Sequence, residues 1–84
     1  MSVKVLYFAS LRETLGYSHE TLTLPARIAT LGDLRAHLAQ RGGVWQALGE
    51  GRNVRAAINQ DMAGPEHPVA DRDEIAFFPP VTGG

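Results

Sequence analysis

The 84-residue chain carries eight basic and nine acidic residues, for a net charge of −1. That balance excludes the basic footprint of a nucleic-acid or anionic-membrane binder, and a domain of this size buries only about 60–65% of its unfolded surface in a single core. It has no cysteine, which removes disulfides, thiolate metal sites and a cysteine nucleophile from consideration.

Val3-Lys4-Val5-Leu6-Tyr7-Phe8-Ala9 is rich in β-branched and aromatic residues and predicts a strand. Ser10-Leu11-Arg12-Glu13 fits a capping box opening one helical turn, which Gly16 ends. Glu20 to Leu24 alternates polar with apolar, as a half-buried strand does, and Pro25 closes it. Thr30, with Asp33 three positions on, caps the main helix. Leu31, Leu34 and Leu38 form its apolar stripe, and Gly42-Gly43 stops it. Val44 to Leu48 predicts a further turn of helix, and Arg55 to Asn59 a short strand followed by a turn at Gln60-Asp61. Glu74 to Phe78 is the last strand; Pro79-Pro80 end its ladder because proline has no N–H to donate.

The order β–β–α–β–β predicts an α+β fold, with one main helix packed across one face of a mixed sheet. The expected organisation is a domain over 1–78 and an extended tail over 79–84. In the first strand Val3, Val5 and Tyr7 share one face, and Leu6 and Phe8 share the other with Lys4. In the last, Ile75 and Phe77 oppose Ala76 and Phe78. One helix covers only one face. The second apolar face then awaits a protein partner, unless Trp45, Leu48 and the loops cover it internally. No run of 18 apolar residues is present and the first residues alternate, so the expected setting is cytoplasmic, without membrane contact.

His19, His37 and His67 are scattered, without metal-ligand spacing. Asp71, Asp73 and Glu74 cluster where aspartates favour bonds to their own backbone. The sequence has neither a nucleophile elbow nor a phosphate-binding glycine loop. No cofactor-binding set, metal set or self-sufficient catalytic site is therefore expected. The tail remains. Gly83 and Gly84 lack Cβ atoms and suit a narrow channel. Pro79 and Pro80 favour extended backbone that points the chain away from the body, and Val81-Thr82 complete a spacer without side-chain charge. Six residues reach about 20 Å. The Gly84 carboxylate, ionised at neutral pH, is the only group at the tail's end to react. It needs activation first, because a free carboxylate is a poor electrophile.

Four blocks, "VKVLYFASLRETLG", "LGDLRAHLA", "AAINQ" and "DEIAFFPPVTGG", together resemble the sulfur-carrying small subunits of molybdopterin synthases, within the ubiquitin-like β-grasp family. The resemblance spans nearly the whole chain and is most specific at "FFPPVTGG"; it is weaker between Ser18 and Ala29 and from Gly42 to Asn53. It implies a β-grasp fold with the first and last strands as parallel central neighbours. It further implies that an E1-like enzyme uses ATP to adenylate Gly84, and that a sulfur donor protein supplies the sulfur of a thiocarboxylate. The large synthase subunit then receives the tail, and the sulfur passes to cyclic pyranopterin monophosphate, with two transfers building the dithiolene of molybdopterin. In this scheme the chain is the carrier subunit of a sulfurtransferase, assembled as a heterotetramer. Leu6, Phe8 and Phe78 dock the partners, and Pro79, Pro80, Val81, Thr82 and Gly83 thread the channel. Sulfur delivery for thiamin, cysteine or transfer-RNA thiolation, ubiquitin-like protein modification, or a plain interaction module with an idle tail are the alternatives left open.

Overall fold

A computed structural model describes residues 1–49 and 51–80. Along the chain run β1 (Ser2–Tyr7), α1 (Ala9–Leu15), β2 (His19–Thr23), α2 (Leu31–Ala39), a 3-10 helix (Gly43–Leu48), β3 (Arg55–Ile58), β4 (Asp61–Met62) and β5 (Glu74–Phe78). The strands form one mixed sheet in the order β2-β1-β5-β3-β4. β1 and β5 are its parallel central pair, in register from Lys4↔Glu74 to Tyr7↔Phe77. The other three pairings are antiparallel. This is the expected α+β architecture, with α2 packed across the sheet.

The core follows from the period of two along the strands. Val3, Val5 and Tyr7 of β1 and Ile75 and Phe77 of β5 are each 1% exposed or less. They meet Leu31, Leu34 and Leu38 of α2, Leu11 and Leu15 of α1, and Trp45 and Leu48 of the 3-10 helix. Tyr7 anchors the aromatic part, edge-on to Trp45 at 5.6 Å and stacked on Phe77 at 6.3 Å between ring centroids.

α2 starts as its sequence predicts. The Thr30 side chain accepts from the Asp33 amide at 3.2 Å, and the Asp33 carboxylate accepts from the Thr30 amide at 3.1 Å. Those backbone bonds, from Ala29 first and Thr30 second, hold the Asp33 carboxyl below its ordinary pKa. The helix ends on Gln40 before reaching the glycines; Gly42 and Gly43, both at positive φ, instead turn the chain into the 3-10 helix.

Three local expectations need correction. Ser10 does not cap α1: the N-cap is Phe8, without a side-chain bond, and Ser10 lies inside a seven-residue helix. The cause is an abrupt junction, in which β1 passes into α1 through Ala9 at φ 53°, leaving no residue free to act as a polar cap. The turn after β3 lies at Asn59-Gln60, not Gln60-Asp61. Both residues have positive φ, as a two-residue hairpin of right-handed twist requires. Asp61 consequently belongs to β4, a strand that the order β–β–α–β–β omits.

Candidate functional site

The sheet has a second face, and the pairing registers assemble it. Leu6 lies level with Ala76, Ala76 with Ala57, and Ala57 with Met62, which makes an apolar row across four strands. The next row holds Phe78 opposite Arg55. Phe8 continues β1 past the Tyr7↔Phe77 pair, its amide donating to the Phe77 carbonyl at 3.1 Å, which sets it beside Phe78. Leu6 and Phe78 are half-buried, whereas Phe8 is 46% and Met62 60% exposed. The structure thus brings Leu6, Phe8 and Phe78 together at one end of the central strand pair.

All three helices contribute to the core on the opposite side of the sheet. Trp45 and Leu48 are buried there too, so they do not cover the second face. A polar border surrounds the apolar rows: Lys4 lies level with Glu74 and Thr21, and His19 level with Leu6. Ala57 and Met62 are the members that the sequence reading missed. Recognising Asn59-Gln60 as the hairpin turn is the signal that would have placed Met62 opposite Ala57.

The Ala9 junction directs Phe8. A left-handed alanine costs about 1–2 kcal/mol relative to its preferred conformations. Here it lets the chain leave β1 and enter α1 at once, with Phe8 still extended at φ −120° and ψ 156°. Phe8 therefore keeps the strand's outward alternation, while Leu11, three residues later, is already in the core.

Beyond β5 the chain passes through Pro79 and Pro80, both half-buried. Pro79 does not leave the body at once. It lines a cleft of about 260 Å³ between α1, through Ser10, Leu11 and Thr14, and the segment Arg52–Val54. Val81, Thr82, Gly83 and Gly84 lie outside the described residues.

A separate network ties the β2 edge to the core. The Tyr7 hydroxyl donates to Glu20 at 2.8 Å, and Arg41 donates to both oxygens of the same carboxylate at 2.9 and 3.0 Å. The Arg41 guanidinium also lies 4.4 Å over the Trp45 ring. Burial, then the bond to Glu20, pushes the Tyr7 hydroxyl pKa above its ordinary value, and the bond to Glu20 raises that of Arg41. Here Glu20 serves structure.

A cavity of about 370 Å³ opens beside the start of α2 and the β3–β4 hairpin. Its lining includes Leu31, Arg35, Val54, Met62 and Phe77, but no acid, histidine, hydroxyl or lysine side chain. It therefore offers nothing for nucleophilic or acid–base chemistry. Among the described residues, no three His, Cys, Asp or Glu side chains gather as a metal site would require. The acidic turn is occupied structurally: Asp71 accepts from the Ser2 amide at 2.7 Å, and Asp73 from the Ala70 amide at 2.8 Å and the Asn59 side chain at 3.0 Å. Among the described residues no helix is long and apolar enough to cross a membrane.

Comparison with known proteins fits this geometry. The model of the ThiS family matches residues 5–84. The molybdopterin synthase sulfur carrier subunit of Escherichia coli K12 is 42% identical over 82 residues, which cover 98% of this chain and 99% of that protein. Among solved structures, small archaeal modifier protein 1 from Haloferax volcanii superposes with a TM-score of 0.80 at 27% identity, covering all of both chains. A chain of the complex of subunits 1 and 2 of the molybdopterin-converting factor from Helicobacter pylori 26695 also matches over the full length of both. Its TM-score is 0.67 at 26% identity.

Proposed function

The chain belongs to the ThiS family, and from that membership we propose that it is the sulfur carrier subunit of a molybdopterin synthase. The observation that carries the reading is the match to the E. coli carrier subunit over 98% of this chain and 99% of that protein, beside a family match that runs to Gly84. The uncovered face supplies what such a subunit needs, a surface for its large partner. The H. pylori relative is a protein–protein complex of the corresponding two subunits, which supports that assignment.

The chemistry is confined to Gly84. An oxygen of its carboxylate attacks the α-phosphorus of ATP on an E1-like enzyme, and pyrophosphate leaves. The terminal sulfur of a donor-protein persulfide then attacks the acyl carbon and AMP departs. A second thiolate attacks the donor's sulfur, the S–S bond breaks with formation of a donor disulfide, and a thiocarboxylate remains on Gly84. The charged carrier docks the large subunit through Leu6, Phe8 and Phe78. Residues Pro79 to Gly83 thread its channel and deliver the sulfur to cyclic pyranopterin monophosphate. Two carriers or two rounds supply the two sulfurs of the dithiolene, in keeping with a heterotetramer of two large and two small subunits. ATP belongs to the activating enzyme, and the pterin pocket to the large subunit.

Intact-mass spectrometry of the chain purified from cells tests this. A species heavier than the free chain by the difference between sulfur and oxygen, lost when Gly84 is deleted, is expected. A chain that never acquires that mass alongside an active synthase overturns the reading. One observation favours a second reading, attachment of Gly84 to lysines of other proteins: the likeness to an archaeal modifier protein. It is an analogy of fold, and ladders of higher-mass conjugates on immunoblots are its distinguishing result.

A further inference from the structure

We propose that Arg35 of α2 is a positioning residue for the carrier tail, holding one wall of the cleft that Pro79 lines and so fixing where the tail leaves the domain. The proposal rests on the carrier reading above. Its basis is the reach of one guanidinium. Arg35 Nε donates to the Leu48 carbonyl at 2.7 Å, and Nη2 donates to the carbonyls of Gly49 at 3.0 Å and Arg52 at 2.6 Å.

The first two bonds are explained by structure alone. Leu48 and Gly49 end the 3-10 helix, where carbonyls lack partners within the helix. The third bond reaches further, to Arg52, which ends no helix and needs no cap. The Arg52 carbonyl also accepts from the Val54 amide at 3.0 Å, and the Gly49 carbonyl accepts from the Arg52 amide at 3.2 Å. The cation is thus tied into the backbone of the segment that forms the cleft wall, and Arg52, Asn53 and Val54 face Pro79 across about 260 Å³. Charged donors make stronger bonds than neutral ones, and the planar fork of arginine loses less freedom per bond than lysine does.

The opposite wall is α1, whose Leu11 is anchored in the core. Pro79 therefore lines a cleft whose other walls are a core-anchored helix and a segment tied down by Arg35. A small angular error at the root is magnified along the residues that follow. Misplacing a reacting group by about 1 Å can cost on the order of a hundredfold in rate. Among the described residues Arg35 hydrogen-bonds the Leu48, Gly49 and Arg52 carbonyls and none of the docking residues Leu6, Phe8 and Phe78, so docking and delivery are separable.

The test uses the full chain, thiocarboxylated, with the large subunit. Arg35→Met keeps the stem and removes the donors. Its affinity for the large subunit should stay within about twofold of the parent, while single-turnover sulfur transfer slows about tenfold or more. Arg35→Lys should recover part of that rate. Thr14→Trp, on the exposed side of α1, fills the cleft with Arg35 intact and should reproduce the slow transfer. Transfer at the parental rate in Arg35→Met overturns the proposal. So does a parallel loss of docking and transfer, which marks a merely structural arginine. Should Arg35→Met fail to fold, Thr14→Trp decides alone, and normal transfer there is equally fatal. A parent chain that transfers no sulfur sinks the carrier reading itself, an outcome distinct from variants that match an active parent.

Discussion

Phe77 and Phe78 are neighbours in sequence and opposites in environment. Phe77 is fully buried among Tyr7, Ile75 and the α2 leucines, whereas Phe78 is only half-buried, on a face that no described helix covers. The same contrast runs along β1, where Val5 and Tyr7 are in the core while Leu6 and Phe8 remain accessible. Two faces of the same two strands thus carry similar apolar side chains for different reasons. On one face the fold requires them. On the other it does not, and an apolar surface that the fold leaves uncovered calls for an explanation from outside the chain.

The sharpest way to break this comparison is to truncate both aromatics. Phe77→Ala should destabilise the domain by about 3–5 kcal/mol through lost burial and the cavity left behind, a large share of the total for a small domain. Urea denaturation reads this as a lower midpoint. Phe78→Ala should leave the midpoint almost unchanged and instead weaken binding to the large subunit. An aromatic at the centre of an interface is worth about 2 kcal/mol, or on the order of thirtyfold in Kd, measurable by calorimetry. Similar losses of stability at both sites would show that the faces are not distinct.

Most of this contrast was legible in the sequence, because alternation along β1 and β5 assigns faces directly and needs no tertiary information. The α2 capping box was equally legible, since both of its partners are local. The edge of the face was not. β4 is two residues long, Asp61 and Met62, too short to show any period. Its existence depends on Asn59 and Gln60 both adopting positive φ, a conformation unusual for glutamine. The α1 start was misread for a related reason. Ser10 and Glu13 have capping-box spacing, but the strand ends so close to the helix that Phe8 takes the N-cap position. The role of Arg35 had no local signal at all, because its acceptors lie 13 to 17 residues further along the chain. The tail's composition was read from the sequence alone, and Val81 to Gly84 lie outside the described residues.

A smaller effect sharpens the core side of the comparison, which is not purely apolar. Tyr7 brings a hydroxyl to the edge of the core, where it donates to a Glu20 carboxylate already held by Arg41. Tyr7→Phe removes the donor without orphaning its acceptor, since both Arg41 bonds to that carboxylate remain. The cost at neutral pH should therefore be only about 0.5–1.5 kcal/mol. The distinctive readout is alkaline. A tyrosine in the unfolded chain loses its proton near pH 10, whereas burial and the bond to Glu20 raise the folded pKa above that. Above about pH 10 the unfolded state therefore binds fewer protons than the folded one, and stability falls as pH rises. The contribution is fully present below the unfolded pKa and disappears as pH climbs towards the folded one. Melting curves from pH 8 to 11 should show the parent losing its lead over Tyr7→Phe as the pH passes about 10. If the two curves run parallel across that range, the hydroxyl is not held by Glu20 in solution, and the core side of the comparison draws its stability from apolar burial alone.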